Sequence, residues 1–283
     1  MFPAPHYREQ LSIMLSEVLE DIGVNEQMVM RKTKLMKMLE TMSTVTMRSN
    51  GTDMTSYILG SQSEGSTTIG LNSDIDFVGC DDNVNVIQNL SEWEHGKQNY
   101  LMIQNENTTP GYCFLQLLRH DEPLPVTERP DDHHILEKRK ILSKNTIKND
   151  YLYSGDEQHG PSIATLGQYV FCDKDNVLAY PCKSWPQSAL SWLEKKGTGK
   201  WTNQEMKRYA VDTRCLVVPT GSKVSVHPEL EWRISTSLAE RCLMLYLNIT
   251  QIRCYVLMKM ILKSFLNPLG KINISSYMCK QFY

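Results

Sequence analysis

Apolar residues in the first 42 positions recur about every 3.6 residues along a polar background. The members of this series are Leu11, Met14, Leu15, Val18, Leu19, Ile22, Met28, Leu35, Met38 and Leu39. Spacings of three and four residues are typical of an amphipathic helix that buries one face. The pattern predicts a long helix over residues 8–42, with a break near Gly23 as an open alternative.

Between residues 55 and 80 the apolar positions fall into short runs separated by Gly, Ser and Asn. The runs cover residues 57–59 and 75–78, which predicts a strand, a loop and a second strand. Residues 81–135 are mixed and rich in Asn, Asp and Pro, with a credible apolar run only near 112–118, so the pattern says little about this stretch. A further strand is predicted over residues 177–180, where Pro181 ends it.

The last third of the chain returns to helical periodicity. Residues 237–240 (Ser-Leu-Ala-Glu) have the spacing of a capping box, and apolar residues then follow one face as far as Ile261. This pattern predicts one long helix within a helical half that begins near Pro186. The chain is therefore expected to be an α+β protein with a front domain at 1–185 and a helical lobe at 186–283.

Composition is that of a folded globular protein. The 283 residues are 41% hydrophobic and 22% charged, which excludes a disordered tail. Because 30 Lys and Arg residues face 32 Asp and Glu residues, the formal net charge is only −2. Any attraction for nucleic acid must therefore come from a local basic patch.

The eight cysteines have irregular spacing and no C-x-x-C pair, which excludes a disulfide framework and a zinc ribbon and predicts reduced thiols. Arg8 and Glu9 stand where a signal peptide needs its apolar core, and no apolar run reaches the ~18 residues of a membrane span. We expect a cytoplasmic protein without a membrane partner, with the nucleus as the alternative compartment. The sequons at Asn107, Asn248 and Asn273 are then chance matches.

Residues 60–76 combine a Gly-Ser turn, a polar loop and a D-x-D sequence on a predicted strand. Alternation along a strand places Asp74 and Asp76 on one face, where two carboxylates repel each other unless a cation lies between them. Hard oxygen ligands suit Mg²⁺ or Mn²⁺. The backbone N–H groups of Gly60 and Ser61 and the serine hydroxyl suit phosphate oxygens.

Either element alone equally suits an ordinary solvated strand face or turn, but the joint pattern is more specific. It resembles the nucleotidyltransferase fold signature of the polymerase-beta superfamily. Residues 175–186 (Asp-Asn-Val-Leu-Ala-Tyr-Pro-Cys-Lys-Ser-Trp-Pro) narrow the resemblance to the cGAS-like receptors and male-abnormal-twenty-one proteins. Further matches follow in the family's order at 160–163, 217–221, 231–235, 254–259 and 275–277.

The resemblance implies a fold and a set of site residues. The fold is a polymerase-beta-like nucleotidyltransferase lobe with a mixed sheet and a long N-terminal spine helix, followed by a helical C-terminal lobe. The implied ligands of two metal ions are Asp74, Asp76 and Asp175, with Asp173 as the competitor for the third place. The implied nucleotide contacts are Gly60 and Ser61 on the triphosphate, Lys259 and Ser276 on the donor phosphates, Tyr277 on a base and Arg233 in the acceptor cleft.

Read without the resemblance, Lys259 equally suits a solvated helix position, Tyr277 a core position and Arg233 a structural ion pair. The family's activity implies two Mg²⁺ or Mn²⁺ ions, with ATP and GTP as substrates. A ribose hydroxyl attacks the α-phosphorus and pyrophosphate leaves. A second round closes a cyclic dinucleotide, a messenger of innate immunity that a STING-type receptor reads.

In this family, double-stranded nucleic acid or another foreign ligand docks beside the first helix and switches the enzyme on. The basic residues that could contact such a ligand here are Arg31, Lys32, Lys34, Lys37, Lys138, Arg139, Lys140, Lys144 and Lys148. An ordinary solvated helix face is the alternative. The zinc-binding His and Cys insertion of cGAS has no counterpart, so no structural zinc is expected and RNA or another ligand is favoured over DNA bridging.

Two other functions stay open. The chain could be a catalytically silent family member that binds nucleotides or nucleic acid in a developmental or interaction role, or a polymerase that adds nucleotides to RNA ends. The family's helical lobe continues beyond the match at 275–277, whereas this chain ends at Tyr283 with Gln281 in place of the expected Thr. An incomplete helical lobe, with apolar helix faces short of partners, is therefore expected.

Overall fold

The computed structural model describes residues 5–68, 75–106, 108–126, 141–143, 157–159, 162–165, 174–194 and 204–266. These ranges form a mixed α+β structure, as the sequence pattern predicts. They contain ten strands in one sheet and seven α-helices. None of the helices in these ranges is long and apolar enough to cross a membrane.

Two helices form the N-terminal part of the protein. Helix α1 spans Pro5–Asp21 and helix α2 spans Glu26–Ser49. Gly23, with a φ of +85°, separates them, and the Asn25 side chain begins α2 by accepting a hydrogen bond from the Met28 backbone N–H at 2.9 Å. The break near Gly23 is thus confirmed, and α2 continues seven residues past the predicted end at 42.

The sheet is formed by strands from both halves of the sequence. Its strands are β1 Met54–Leu59, β2 Ile75–Asp81, β3 Val84–Ile87, β4 Gln98–Ile103, β5 Tyr112–Leu117, β6 Glu157–His159, β7 Ser162–Thr165, β8 Lys174–Pro181, β9 Leu216–Val218 and β10 Glu231–Ser235. The main order is β1-β2-β8-β9-β10-β5-β4-β3, and β6 and β7 extend from β8. The sequence pattern gave no indication of β3 or β4.

Mixed strand directions shape this sheet. Strand β2 is antiparallel to β1 and parallel to β8, and β3 is parallel to β4. An isolated bridge between Val86 and Cys182 brings the far end of the sheet back to the residue that follows β8. The sheet therefore curls around a core that includes the stacked rings of Tyr100, Tyr180 and Trp232.

Five helices accompany or follow the strands. They are the single turn α3 Gly60–Ser63, then α4 Gln187–Glu194, α5 Gln204–Asp212, α6 Ser237–Met244 and α7 Ile249–Ile261, which continues as a π-helical turn at Leu262–Leu266. The expectation that everything after residue 186 is helical is wrong, because β9 and β10 belong to the main sheet. The domain boundary at 185/186 itself stays a prediction.

The single long helix expected after residue 237 is also wrong. Asn248 interrupts it, because its side chain accepts a hydrogen bond from the Gln251 N–H while the Gln251 side chain accepts one from the Asn248 N–H, both at 3.0 Å. These reciprocal bonds start α7 anew. The N-cap residue of α6 is Thr236, and not Ser237 as the capping-box spacing suggests. The Thr236 hydroxyl donates a hydrogen bond to Glu240 Oε1 at 2.9 Å.

Separate apolar clusters fix the helices on the sheet. Helix α6 packs Leu238 against the β1, β2, β8 and β9 cluster, which includes Leu59 and Leu216. Helix α7 packs Tyr255 and Val256 against the junction of α1 and α2 at Leu19 and Val24. Both helices that carry the last part of the described chain are therefore anchored on elements of the first 60 residues.

The six cysteines in the described ranges are free, and four of them are buried. Burial raises the pKa of the Cys80 thiol to about 12 and the pKa of Cys113 still further. Buried thiols of this kind stay protonated and unreactive near neutral pH. They act as small apolar core residues, which agrees with the expectation of reduced thiols.

Candidate functional site

The Gly-Ser turn lies where β1 ends and α3 begins. Gly60 has a φ of +76°, a conformation that glycine adopts without strain, and the Ser63 hydroxyl donates to the Gly60 carbonyl at 3.0 Å. The Ser66 N–H donates to the Ser61 carbonyl at 3.0 Å and closes the turn. The sequence predicts a tight turn here, and the structure forms it as one turn of helix.

Asp76 lies directly over this turn. Antiparallel pairing of β1 with β2 sets Asp76 opposite Leu59, the residue before Gly60. A β-carbon built on Gly60 would overlap Asp76 Oδ2, so the carboxylate occupies the space that any larger residue would need. The position therefore requires glycine for two reasons, its backbone conformation and the approach of this carboxylate.

Asp175 is the neighbour of Asp76 across the sheet. Parallel pairing of β2 with β8 places the two residues in register, at the strand separation of about 4.8 Å. Asp74 and Asp173 lie outside the described residues, so the structure gives no position for either. The register places Asp175, which the resemblance favours, opposite Asp76.

Lys259 reaches the same turn from helix α7. Its Nζ donates to Ser61 Oγ at 2.5 Å and to the Ser66 carbonyl at 3.1 Å. The ammonium also lies 5.6 Å from the centroid of the Tyr255 ring, within the range of a cation–π contact. The structure thus brings together two residues 198 apart in sequence, both of which the resemblance assigns to triphosphate binding.

These residues form two chemically distinct halves of one site. Ser61 and Lys259 present a hydroxyl and an ammonium, donors that suit phosphate oxygens. Asp76 carries a carboxylate, the kind of ligand that suits Mg²⁺ or Mn²⁺, and the Asp175 backbone is in register with it on the neighbouring strand. No group of three or more His, Cys, Asp or Glu side chains gathers around a cation position within the described ranges, and Asp74 lies outside those ranges.

The loop that follows the turn is buried, although its residues are polar. The exposed fraction of the whole residue is 8% or less for Ser63, Glu64, Ser66, Thr67 and Thr68. Lys32 of helix α2 donates from its Nζ to the Thr67 carbonyl at 2.8 Å, and burial lowers the pKa of this lysine. By its helical spacing Lys32 belongs with the other cations of α2, and this contact could not be predicted because helical spacing alone does not reveal which cation meets a distant loop.

The remaining predicted residues fall into three groups. Arg233 is exposed on β10, paired with Val218 and Tyr112, and two strands away from β8 in the sheet order. Arg31, Lys34 and Lys37 are exposed on α2. Ser276 and Tyr277, together with the basic positions Lys138, Arg139, Lys140, Lys144 and Lys148, lie outside the described residues.

No family model matches the chain, and no curated protein matches it either.

Proposed function

We propose that this chain is a metal-dependent nucleotidyltransferase of the cGAS-like type, with a polymerase-beta-like fold, that joins ATP and GTP into a cyclic dinucleotide. The observation that carries the proposal is the packing of the Asp76 carboxylate over Gly60, together with the contact of the Lys259 ammonium with the hydroxyl of the next residue, Ser61. A nucleoside triphosphate needs both of these chemistries within a few ångströms of each other. Asp175 in register with Asp76 adds the neighbouring strand to the site.

The polar donors would bind the donor nucleotide. Lys259 Nζ already contacts Ser61 Oγ and would neutralise part of the triphosphate charge, while Ser61 donates its hydroxyl to a phosphate oxygen. The positive φ of Gly60 lets the backbone approach the phosphates closely. Ser276 and Tyr277 are proposed to complete the phosphate and base contacts, and Arg233 to line the acceptor side.

The carboxylates would hold the metal ions. Asp74, Asp76 and Asp175 are the proposed ligands of two Mg²⁺ or Mn²⁺ ions, which when bound would supply activation of the ribose hydroxyl and neutralisation of the leaving pyrophosphate. The hydroxyl oxygen forms a bond to the α-phosphorus, the bond from the α-phosphorus to the bridging oxygen breaks, and the hydroxyl proton passes to solvent. The protein orients the two nucleotides for this in-line displacement.

Double-stranded nucleic acid is the proposed activating ligand, and we place the protein in innate immune sensing in the cytoplasm. The exposed cations Arg31, Lys34 and Lys37 of α2 would contact its phosphates, together with Lys138, Arg139 and Lys140. Contacts of this kind depend on salt and not on base sequence. RNA is the favoured form of the ligand, since duplex RNA is recognised mainly by shape.

Product analysis with two matched variants tests the proposal. Purified protein is incubated with labelled ATP and GTP, Mg²⁺ or Mn²⁺, and double-stranded RNA or DNA, and phosphatase-resistant products are resolved by thin-layer chromatography. Asp76→Asn is expected to lower product formation by at least ~100-fold, because a lost metal ligand removes several kcal/mol of transition-state stabilisation. Asp81→Asn, at the other end of β2, should retain activity.

Each alternative has its own result in this experiment. Nucleotide binding without any phosphatase-resistant product, under every ligand tested, would favour the silent binding protein. Extension of a labelled RNA end would favour the RNA-end polymerase. Full activity of Asp76→Asn would contradict the assignment of this carboxylate to the active site.

A further inference from the structure

Residues 61–68 comprise the end of α3 and the loop that follows it, and are called the 61–68 loop. Helix α2 contacts this loop through Lys32, whose side chain turns inward. Lys32 and Thr67 are 35 residues apart, and the Lys32 Nζ to Thr67 O distance is 2.8 Å. Lys34, two residues further along the same helix, is exposed. The two lysines therefore differ in environment although the sequence gives them the same charge and nearly the same place.

Gly65 brings the loop against the helix backbone next to this contact. Its φ is +68°, and a β-carbon built on it would lie 2.8 Å from Val29 Cγ1 and 3.3 Å from Val29 Cα. No larger residue fits without moving the loop away from α2. Val29 and Lys32 are three residues apart and lie on one face of the helix, so the two contacts form one continuous surface.

The contact is linked to the phosphate-binding hydroxyl by short steps. Thr67 is covalently joined to Ser66, whose N–H donates to the Ser61 carbonyl at 3.0 Å. The Ser66 carbonyl in turn accepts from Lys259, the same ammonium that meets Ser61 Oγ. A displacement of Thr67 would thus be passed directly to both ends of the Ser61–Lys259 pair.

Two buried hydroxyl groups, one on α2 and one on the loop, show that the docked loop does not satisfy every polar group within the described residues. Thr33 Oγ1 and Thr67 Oγ1 are buried and have no hydrogen-bond partner within the part of the chain that the structure describes. A buried hydroxyl without a hydrogen-bond partner destabilises the arrangement that buries it. The docked position of the loop therefore depends on the contacts that are made, of which the Lys32 hydrogen bond is charge-assisted.

We propose that Lys32 is a positioning residue that holds the 61–68 loop on helix α2 and so keeps the Ser61 hydroxyl in place for the donor phosphates. The second half of this inference rests on the proposed function. The first half concerns the nucleotide-free protein alone. It also separates Lys32 from Arg31, Lys34 and Lys37, whose exposed side chains leave them available to a ligand.

Hydrogen exchange of the nucleotide-free protein tests the first half. In Lys32→Met, the amides of residues 64–68 should exchange about tenfold faster than in the wild type, because loss of the bond removes roughly 1.4 kcal/mol from the closed loop. Lys34→Met is the control and should leave this exchange unchanged. Lys32→Arg, which retains a donor of similar length, should restore most of the protection, and Lys32→Gln serves if the Met variant does not fold.

Kinetics test the second half. The KM for the donor nucleotide should rise about tenfold in Lys32→Met, with a smaller change in kcat, and Lys32→Arg should recover it in part. Loop exchange in Lys32→Met equal to that in Lys34→Met would overturn the proposal, as would an equal increase in β4 and β5. Faster loop exchange in Lys32→Met, together with a wild-type protein that makes no product, would keep the Lys32 contact and reject the nucleotidyltransferase.

Discussion

Gly60 shows how one residue can be required for the site and not for the fold. Its positive φ and the overlap of any β-carbon with Asp76 Oδ2 are separate constraints. The first constrains the backbone, and the second constrains only the end of a side chain that can rotate away. A substitution here should therefore act on activity more than on stability.

Gly60→Ala is compared with Gly96→Ala to separate the two constraints. Gly96 has a φ of +82° and open space around its α-carbon, so its alanine variant experiences the backbone strain alone. Both variants should lose about 1–2 kcal/mol of unfolding free energy. Only Gly60→Ala should lose activity, by at least ~100-fold, because Asp76 is displaced. Equal activity of the two variants in the product assay would contradict this account of the site.

Glu231 is a buried carboxylate that ties two loops to β10. Its oxygens accept hydrogen bonds from the Thr109 N–H and hydroxyl and from the Ser222 N–H, at 3.0 to 3.1 Å. Burial alone would raise the pKa of Glu231, but these hydrogen bonds outweigh burial and hold the pKa below its usual value. The ionised form therefore stabilises the folded protein.

The pH dependence of unfolding should reveal this residue. Since the pKa of Glu231 is lower in the folded than in the unfolded protein, its contribution is present above the unfolded pKa of about 4.3 and is lost as the pH falls. Glu231→Gln should lower stability at pH 7 by about 1–3 kcal/mol and flatten the acid slope. Urea unfolding at several pH values between about 3 and 7, a range that brackets the unfolded pKa of Glu231, measures both effects.

Asp81→Asn is the opposite-sign control for that experiment. Burial raises the pKa of Asp81, so its ionised form is disfavoured in the folded protein. Asp81→Asn should therefore raise the free energy of unfolding at neutral pH and make its decrease toward acid pH steeper. An unchanged acid slope in Glu231→Gln would show that the charge of this side chain contributes nothing to stability.

At the scale of elements, an ion pair between Glu40 and Arg241 joins α2, β1 and α6. Glu40 Oε1 accepts from the Ile58 N–H at 2.6 Å and from Arg241, which also donates to the Ile58 carbonyl at 2.8 Å. The two side chains are 13% and 20% exposed. Such a pair completes the hydrogen bonds of the β1 backbone, whose Ile58 is fully buried.

A double-mutant cycle measures this connection. Glu40→Gln, Arg241→Met and the double variant should give a coupling energy of about 1–3 kcal/mol, since each single change leaves a partly buried partner unpaired. The exposed pair Arg119–Glu122 is the control and should give less than about 1 kcal/mol. Coupling no larger than that of the control would mean that the packing of α6, and not the ion pair, joins these elements.

The elements differ in how well the sequence predicts them. The helix break at Gly23 and strands β1, β2 and β8 follow from local periodicity and turn residues, and β5 coincides with an apolar run that the sequence shows near 112–118. Strands β3 and β4 were not predicted, because they are short and lie in a stretch rich in Asn, Asp and Pro. Asn85 and Asn99 are buried there and hydrogen-bond each other at 3.2 Å, a pairing between strands that no local pattern shows. Strands β9 and β10 are stabilised by their pairing in the sheet, which local periodicity does not show.

The candidate site shows the same division. Gly60, Ser61 and Asp76 lie within 17 residues, so a local motif reveals them. Asp175 and Lys259 were assigned through the resemblance, and the structure places the Asp175 backbone and the Lys259 ammonium next to that motif. The contact of Lys32 with Thr67 could not be predicted, because it depends on where a loop packs, which no helical pattern contains.

At the scale of the whole molecule, helix α7 connects the N-terminal helices to the Gly-Ser turn. Arg253 donates to the Val24 carbonyl at 3.0 Å and to Ser16 Oγ at 2.9 Å, and it pairs with Glu20. Lys259, six residues later on the same helix, contacts Ser61. The residues proposed to bind phosphate therefore come from distant parts of the chain, and a bound nucleotide would stabilise their association.

Thermal unfolding with and without nucleotide should show this stabilisation. At 100 times its dissociation constant, ATP with Mg²⁺ would add about 2.7 kcal/mol, which raises the Tm by about 5 °C in a protein of this size. Lys259→Met should remove most of the increase, because the ammonium that faces the phosphates is lost. Lys263→Met, four residues later and exposed, should keep it. An undiminished increase in Tm with nucleotide in Lys259→Met would place the nucleotide away from Ser61. Loss of the increase in that variant alone would show that helix α7 binds the phosphates, whether or not the protein turns the nucleotide over.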